Sequence, residues 1–457
     1  MDINHPAHAP SEPVQGASTG RKTLPPLSLR QNFSWVFLGN AVCAGGRWGL
    51  IVFLARLGGP EMVGQVALAL AIGAQVGSLA DLGLRNALVS DVKGQYRFGD
   101  YLGLRLAAAL ASLLVMAGIA LVRCHEAEVA LLIFLVGAGT ALELVNDIFF
   151  GLLQRYERMD RIGIALVIKW PLILTVMVLG VLLTGSPVWG MLGYPAAMAA
   201  VLFLYVLPSA ARVAATAGSP LRLFPRCSPG TLLSLAWVTL PMGLALMVSG
   251  LSAALPRYLI SFYRGNEDLG VFAAVASLGT LLTTVVGALG QSFVPRLAKH
   301  YAAADSRAFT RLLGKLSGLT ACLGLAMVLA VGLGGRPLLR SLYGDRFSQQ
   351  VDVAVCLVAA AALSQLSFSL ARAMFAMRRF WWEMAIRTAG VVLLAGLLPG
   401  MIAAWGLHGA AWAMCASAAL VSAAYVAATL HACRHVEKAR AAESAEEVSA
   451  LSAMAHG

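Results

Sequence analysis

Apolar residues run along this chain in long uninterrupted blocks with short polar punctuation between them, unlike the narrow apolar stripe of a water-soluble surface helix. A helix rises 1.5 Å per residue, so roughly 20 apolar residues cross the ~30 Å hydrocarbon core of a bilayer. Twelve blocks are about that long: 33–57, 63–84, 102–122, 129–152, 163–184 and 188–208, then 231–260, 269–294, 316–334, 350–375, 385–403 and 408–431. The pattern predicts an all-α integral membrane protein of about 12 transmembrane helices, with no stretch left for a soluble domain. Around the blocks stand an N-terminal tail (1–30), a linker (216–230) and a C-terminal tail (433–457), which sets an N-lobe over 31–215 and a C-lobe over 231–432.

Composition agrees. The chain is 59% hydrophobic and 12% charged, with a mean hydropathy of +0.77, whereas globular domains carry about 25% charge. The segment from Met1 to Pro26 is polar and holds five prolines, so it reads as a disordered cytoplasmic tail rather than a cleavable signal. The seven cysteines are scattered, with no CxxC or Cys/His spacing, and read as small apolar fillers with neither disulfides nor a metal site.

Lys and Arg beside a span stay on the cytoplasmic side, while Asp and Glu count for little. With the N-terminus inside, 26 of the 34 basic residues fall on the cytoplasmic side and seven on or near the other, which leaves Arg47 within the membrane. Both termini are then cytoplasmic. The +12 net charge needs no nucleic acid; anionic headgroups of membrane lipids account for it.

The chain also repeats itself. Gly59-x-Glu61-x-x-Gly64 with Gly73 recurs 206 residues later as Gly265-x-Glu267-x-x-Gly270 with Gly279. Trp189-Gly190-x-x-Gly193 with Ala197-Met198 recurs at an offset of 216 as Trp405-Gly406-x-x-Gly409 with Ala413-Met414. Six spans repeating in one orientation make a parallel pseudo-repeat about an axis along the membrane normal, an arrangement used by transporters whose bundles rock around a central site.

The stretches Phe53 to Glu61, Ala80 to Leu84, Pro256 to Phe272, Pro337 to Gly344 and Trp405 to Ala411 resemble the polysaccharide-transport branch of the multidrug/oligosaccharidyl-lipid/polysaccharide flippase superfamily. The resemblance covers roughly residues 30 to 430 and is carried mainly by glycine and helix-end signals. It implies two six-helix lobes around a central V-shaped cavity. It also implies transfer of undecaprenyl-diphosphate-linked oligosaccharide across the bacterial inner membrane for O-antigen, capsule or exopolysaccharide synthesis, with a polysaccharide polymerase and a chain-length regulator as possible partners. No cofactor is implied beyond a coupling H+ or Na+. An ion-coupled drug antiporter of the same fold, or a peptidoglycan-precursor flippase, are the alternatives.

Charged residues at bilayer depth cost about 2.5–3.5 kcal/mol on insertion scales, so they should face protein or water. Arg47 sits near the middle of the first span on the same face as Asn40, after Gly45-Gly46. It either binds a lipid diphosphate or pairs with a carboxylate of a neighbouring helix to lock the lobe. The fourth span carries Thr140, Glu143, Asp147 and Gln154 on one face; Glu143 and Asp147 read as an ion-coupling pair, or Lys169 of the fifth span simply neutralises Glu143. Polar stripes Gln75, Ser78, Asp81, Arg85 and Ser277, Thr280, Thr284, Gln291 point to a shared hydrated cavity, with Arg85 and Gln291 as binding candidates and Asp81 as a coupling candidate. Arg257 is a further binding candidate near the outer end of the seventh span, and Pro241 and Pro256 should kink that span. Arg372, Arg378 and Arg379 with Trp381 and Trp382 read as interfacial anchors. An enzyme is disfavoured, because the longest outer loop, 335–349, holds three arginines and the single acid Asp345; a nucleotide-driven pump is excluded by the lack of a phosphate-binding loop.

Overall fold

The computed structural model describes residues 29–91, 94–122, 127–216, 224–303, 305–377 and 379–455, and among them there are helices and no strands. The N-terminal half holds α1 (Leu29–Asp81), α2 (Leu84–Ser90), α3 (Phe98–Val122), α4 (Ala127–Arg155), α5 (Met159–Thr184), α6 (Pro187–Met191) and α7 (Gly193–Val201). A wider π-turned stretch, Leu202–Val206, leads on into α8 (Leu207–Thr216). The C-terminal half holds α9 (Pro229–Ala302), α10 (Ser306–Tyr343), α11 (Asp345–Ser348), α12 (Val351–Ala376) and α13 (Phe380–Ala455).

By length and hydropathy, nine helical stretches among the described residues can cross a membrane, fewer than the twelve blocks in the sequence. The difference has a local cause. Helices α1, α9 and α13 each turn on one glycine with positive φ, Gly59 (74°), Gly265 (83°) and Gly406 (57°), a backbone region open to glycine and strained for residues with a Cβ. Divided at these glycines, the chain gives twelve segments, consistent with the expected spans. Pro241 and Pro256 leave α9 within helical dihedrals, and its break falls at Gly265 instead. The expected outer loop at 335–349 is mostly helical, since α10 runs on past Gly334 to Tyr343 and α11 follows at once.

The first repeat motif proves to be a joint. A Cβ on Gly64 would collide with the carbonyl oxygen of Asn266, and one on Gly270 with the carbonyl oxygen of Pro60, so each motif seats its glycine on the other's backbone. Close backbone approach at small residues is how helices associate where water gives no hydrophobic drive. At this same end of the bundle, Arg56 donates to the carbonyls of Ser341 and, at 3.1 Å, Leu342, where a cation suits the C-terminal end of α10. Trp48 Nε1 lies 3.3 Å from the Tyr343 hydroxyl, which lies 2.9 Å from Ser277 Oγ. The two halves are thus fastened together at the end where Gly59 and Gly265 turn.

The start of α9 packs against the N-terminal half. The backbone N–H of Arg226 donates to Gly99 at 2.8 Å, and its carbonyl lies over Gly103 of α3. Leu232, Leu235 and Ala236 at the start of α9 join the core formed by Leu84, Leu88 and Tyr101. Further along, Gln75 donates to the Met247 carbonyl at 2.6 Å. The first turns of α9 thus lie in contact with α1, α2 and α3. Leucines such as Leu183 and Leu333 stay more than four-fifths exposed, as a lipid-facing surface requires.

Candidate functional site: a charged cleft

Helices α1, α4, α5 and α9 enclose a cavity of about 720 Å³ in the N-lobe, lined by Arg47, Asp81, Glu143, Asp147 and Arg257 among others. Gly46 does not break α1. It instead gives room to the Trp170 side chain, which a Cβ there would strike at 2.7 Å, and the Arg47 guanidinium lies 5.8 Å from the centre of that ring. Arg47 stands over an aromatic face and has no carboxylate within ion-pair distance among the described residues. This differs from the lock that was one reading of the sequence.

Each cavity-facing carboxylate, by contrast, has its own cation. Glu143 accepts from Lys169 Nζ at 2.9 Å and from the Tyr194 hydroxyl at 2.8 Å. Asp147 accepts from Arg85 at 3.0 Å and lies 3.4 Å from Arg105, which also reaches Asp81 at 2.8 Å. Arg85 holds the Gln154 amide oxygen as well, at 3.0 Å. In the sequence Arg105 counts as a retained cytoplasmic charge, yet it is fully buried and braces α1 to α4 from α3. Only the tertiary approach of three helices makes its role visible.

The other sequence candidates divide. Asp81, Glu143, Asp147 and Arg257 reach the cleft, and Lys169 and Arg85 stand behind it as partners of carboxylates. Asn40 is exposed and does not line the cavity, because its shared helical face with Arg47 fixes a direction and not a depth. The side chain of Gln291 and residue Arg378 lie outside the described residues. Ser78, Ser277 and Thr280 line the cleft, whereas Thr284 turns back to the Thr280 carbonyl at 2.9 Å. Arg372 does not extend to the interface: its guanidinium occupies the space beside Gly290, 3.4 Å from the Gly287 carbonyl.

A second cavity, about 390 Å³, lies in the C-lobe and shares Arg257, Ala276 and Thr280 with the first. The two make one cleft with unlike walls, and no group of His, Cys, Asp and Glu suited to a metal occurs among the described residues.

The described residues make a multi-pass helical membrane protein whose two halves meet around a polar cleft. Residues 29–300 match the family described as polysaccharide biosynthesis protein, and the chain belongs to that family. It is similar to the capsular polysaccharide biosynthesis protein CapF of Staphylococcus aureus, with 22% identity over 332 residues, 72% of this chain and 80% of the relative. In fold it is similar to the lipid II flippase MurJ in an inward closed conformation (TM-score 0.70, 9% identity, 89% of this chain and 90% of that one). It is also similar to a multidrug resistance transporter of the MATE family in an inward-facing conformation (TM-score 0.68, 13% identity, 88% and 96%). An outward-facing conformation of such a transporter gives a TM-score of 0.59 (15% identity, 89% and 97%).

Proposed function

We propose that the protein flips polyprenyl-diphosphate-linked oligosaccharide from the cytoplasmic to the periplasmic leaflet of a bacterial inner membrane, with both termini cytoplasmic, in the synthesis of capsule, O-antigen or exopolysaccharide. The carrying observation is the arrangement of charge on the N-lobe wall: three carboxylates are each held by another cation, and Arg47, near Glu143 but with no carboxylate at ion-pair distance among the described residues, faces the cleft. A planar guanidinium facing a wet cleft suits a diphosphate, which can take two parallel hydrogen bonds from it. Arg257 adds a second cation where the two cavities join. Uncompensated positive charge also disfavours the drug-antiporter reading for cationic drugs. The fastened end bearing Gly59 and Gly265 is the periplasmic one, so the cleft faces inward, in keeping with its greater similarity to inward-facing forms.

Glu143 is the coupling group in this reading. Its ties to Lys169 and Tyr194 hold one charge state, and uptake of H+ or Na+ would loosen them and bias the lobes between their two arrangements. Translocation of a fluorescent polyprenyl-diphosphate oligosaccharide by proteoliposomes tests both roles. Arg47→Ala should abolish transport with normal membrane levels, and Arg47→Lys should keep part of it; unchanged transport by Arg47→Ala would end the diphosphate role. Glu143→Gln combined with Lys169→Met removes both charges together and should leave a folded protein that no longer responds to an imposed pH or sodium gradient. An unaltered response would make the pair structural.

A further inference from the structure

The C-lobe cavity has a chemistry of its own. Its wall is mostly apolar, yet two buried side chains and one partly buried arginine with unused hydrogen-bonding capacity reach it. Gln365 of α12, 8% exposed, donates to the Thr283 hydroxyl at 2.7 Å, which leaves its amide oxygen and second N–H without a partner among the described residues. Tyr425 of α13, 2% exposed, has no partner for its hydroxyl among those residues. Arg387 of α13 is held by Glu383 through both Nε, at 2.6 Å, and Nη2, which leaves Nη1 without a hydrogen-bond partner among the described residues, and its guanidinium lies 5.3 Å from the centre of the Phe368 ring. A lipid chain would make no use of these groups. A diphosphate would find one uncompensated cation here, Arg257, at the rim shared with the N-lobe.

Planar amide and guanidinium groups beside an aromatic face match the alternating hydroxyls and C–H faces of a pyranose ring. The volume, about 390 Å³, falls within the usual ~300–1,000 Å³ of small-ligand sites. We infer that the C-lobe cavity is a sugar-binding subsite that reads the glycan next to the diphosphate, with Gln365, Tyr425 and Arg387 as its hydrogen-bonding groups and Phe368 as its stacking face. This inference rests on the flippase reading. It divides the labour of the cleft: the N-lobe wall holds the charge common to all such lipids, and the C-lobe wall distinguishes one glycan from another.

The test measures binding to the purified protein in detergent of bare undecaprenyl diphosphate and of the same lipid carrying one hexose, one N-acetylhexosamine or one hexuronic acid. At least one sugar-bearing probe should bind about tenfold tighter than the bare lipid, the effect of one or two net hydrogen bonds. Gln365→Leu and, with the loss of a single oxygen, Tyr425→Phe should each remove most of that advantage, while Arg47→Ala should weaken every probe alike. Equal binding of bare and sugar-bearing lipids to the wild type, with both still dependent on Arg47, would overturn the sugar subsite and leave the flippase reading standing. Equal weakening of bare and sugar-bearing probes by Gln365→Leu and Tyr425→Phe would assign the cavity to the lipid or the phosphate instead. Failure of every probe to bind the wild type would remove the flippase reading and the inference with it.

Discussion

The two walls of the cleft come from equivalent helices and carry opposite chemistry. Helix α4, fourth of six segments in its half, turns Thr140, Glu143 and Asp147 into the cleft. Helix α12, fourth in the other half, turns in Ala361, Ser364, Gln365 and Phe368, with no charge among them. The turns of the two halves have diverged less. Gly59 and Gly265 share their backbone conformation (φ 74° and 83°, ψ −168° and −174°), and their motifs grip each other. Geometry is thus retained where the halves must meet, and side chains vary where each half lines the cleft.

This contrast is open to attack from both sides. Arg105→Met should have the largest effect, because it removes a fully buried cation from Asp81 and leaves Asp147 with Arg85 alone; since both carboxylates also face the cleft, the cost should fall below the ~3–5 kcal/mol typical of a fully buried pair. Thermal unfolding in detergent should show a steep loss, and a stability near wild type would mean that the N-lobe wall is not braced by its charges. Gly270→Val comes next. Overpacking of a tight contact costs about 1–3 kcal/mol, here confined to the fastened end where Gly59 and Gly265 turn. In a cysteine-free background carrying Thr280→Cys, the added valine should open that cysteine to an impermeant thiol reagent applied from the side of that end, the periplasmic side in the proposed orientation; unchanged labelling would dissolve the joint. The smallest effect belongs to the exposed pair of His408 and Asp352, 2.9 Å apart on the C-lobe. Asp352→Asn should alter stability by at most about 1 kcal/mol. A fall as large as that of Arg105→Met would erase the distinction between the lobes.

The sequence makes the spans legible because the hydrophobic blocks are long, and Arg47 legible because a cation far from any interface has few innocuous explanations. It leaves Arg105 hidden, since a cation in the second turn of a span beside basic loops looks like a retention signal until Asp81 and Asp147 arrive from other helices. Gln365 and Tyr425 are hidden for a related reason: neutral polar residues in Ala-rich spans give little periodic signal, and their unmet hydrogen bonds exist only in the folded cavity. The second echo misleads in part. Gly406 is a turn with φ 57°, but its counterpart Gly190 lies within α6, and the N-lobe turns earlier, at Gly185 with φ 71°.

The crossed seating of Gly64 on Asn266 and Gly270 on Pro60 has the form of an isologous contact, in which each surface meets the other's copy through the same residues. Such a contact is what two separate six-helix subunits would use to pair about a two-fold axis. The chain therefore carries, as an intramolecular joint, a contact of the form that would pair two separate six-helix subunits. Residues through 216 and residues from 224 onward, expressed as two polypeptides, should find each other in the membrane by that contact.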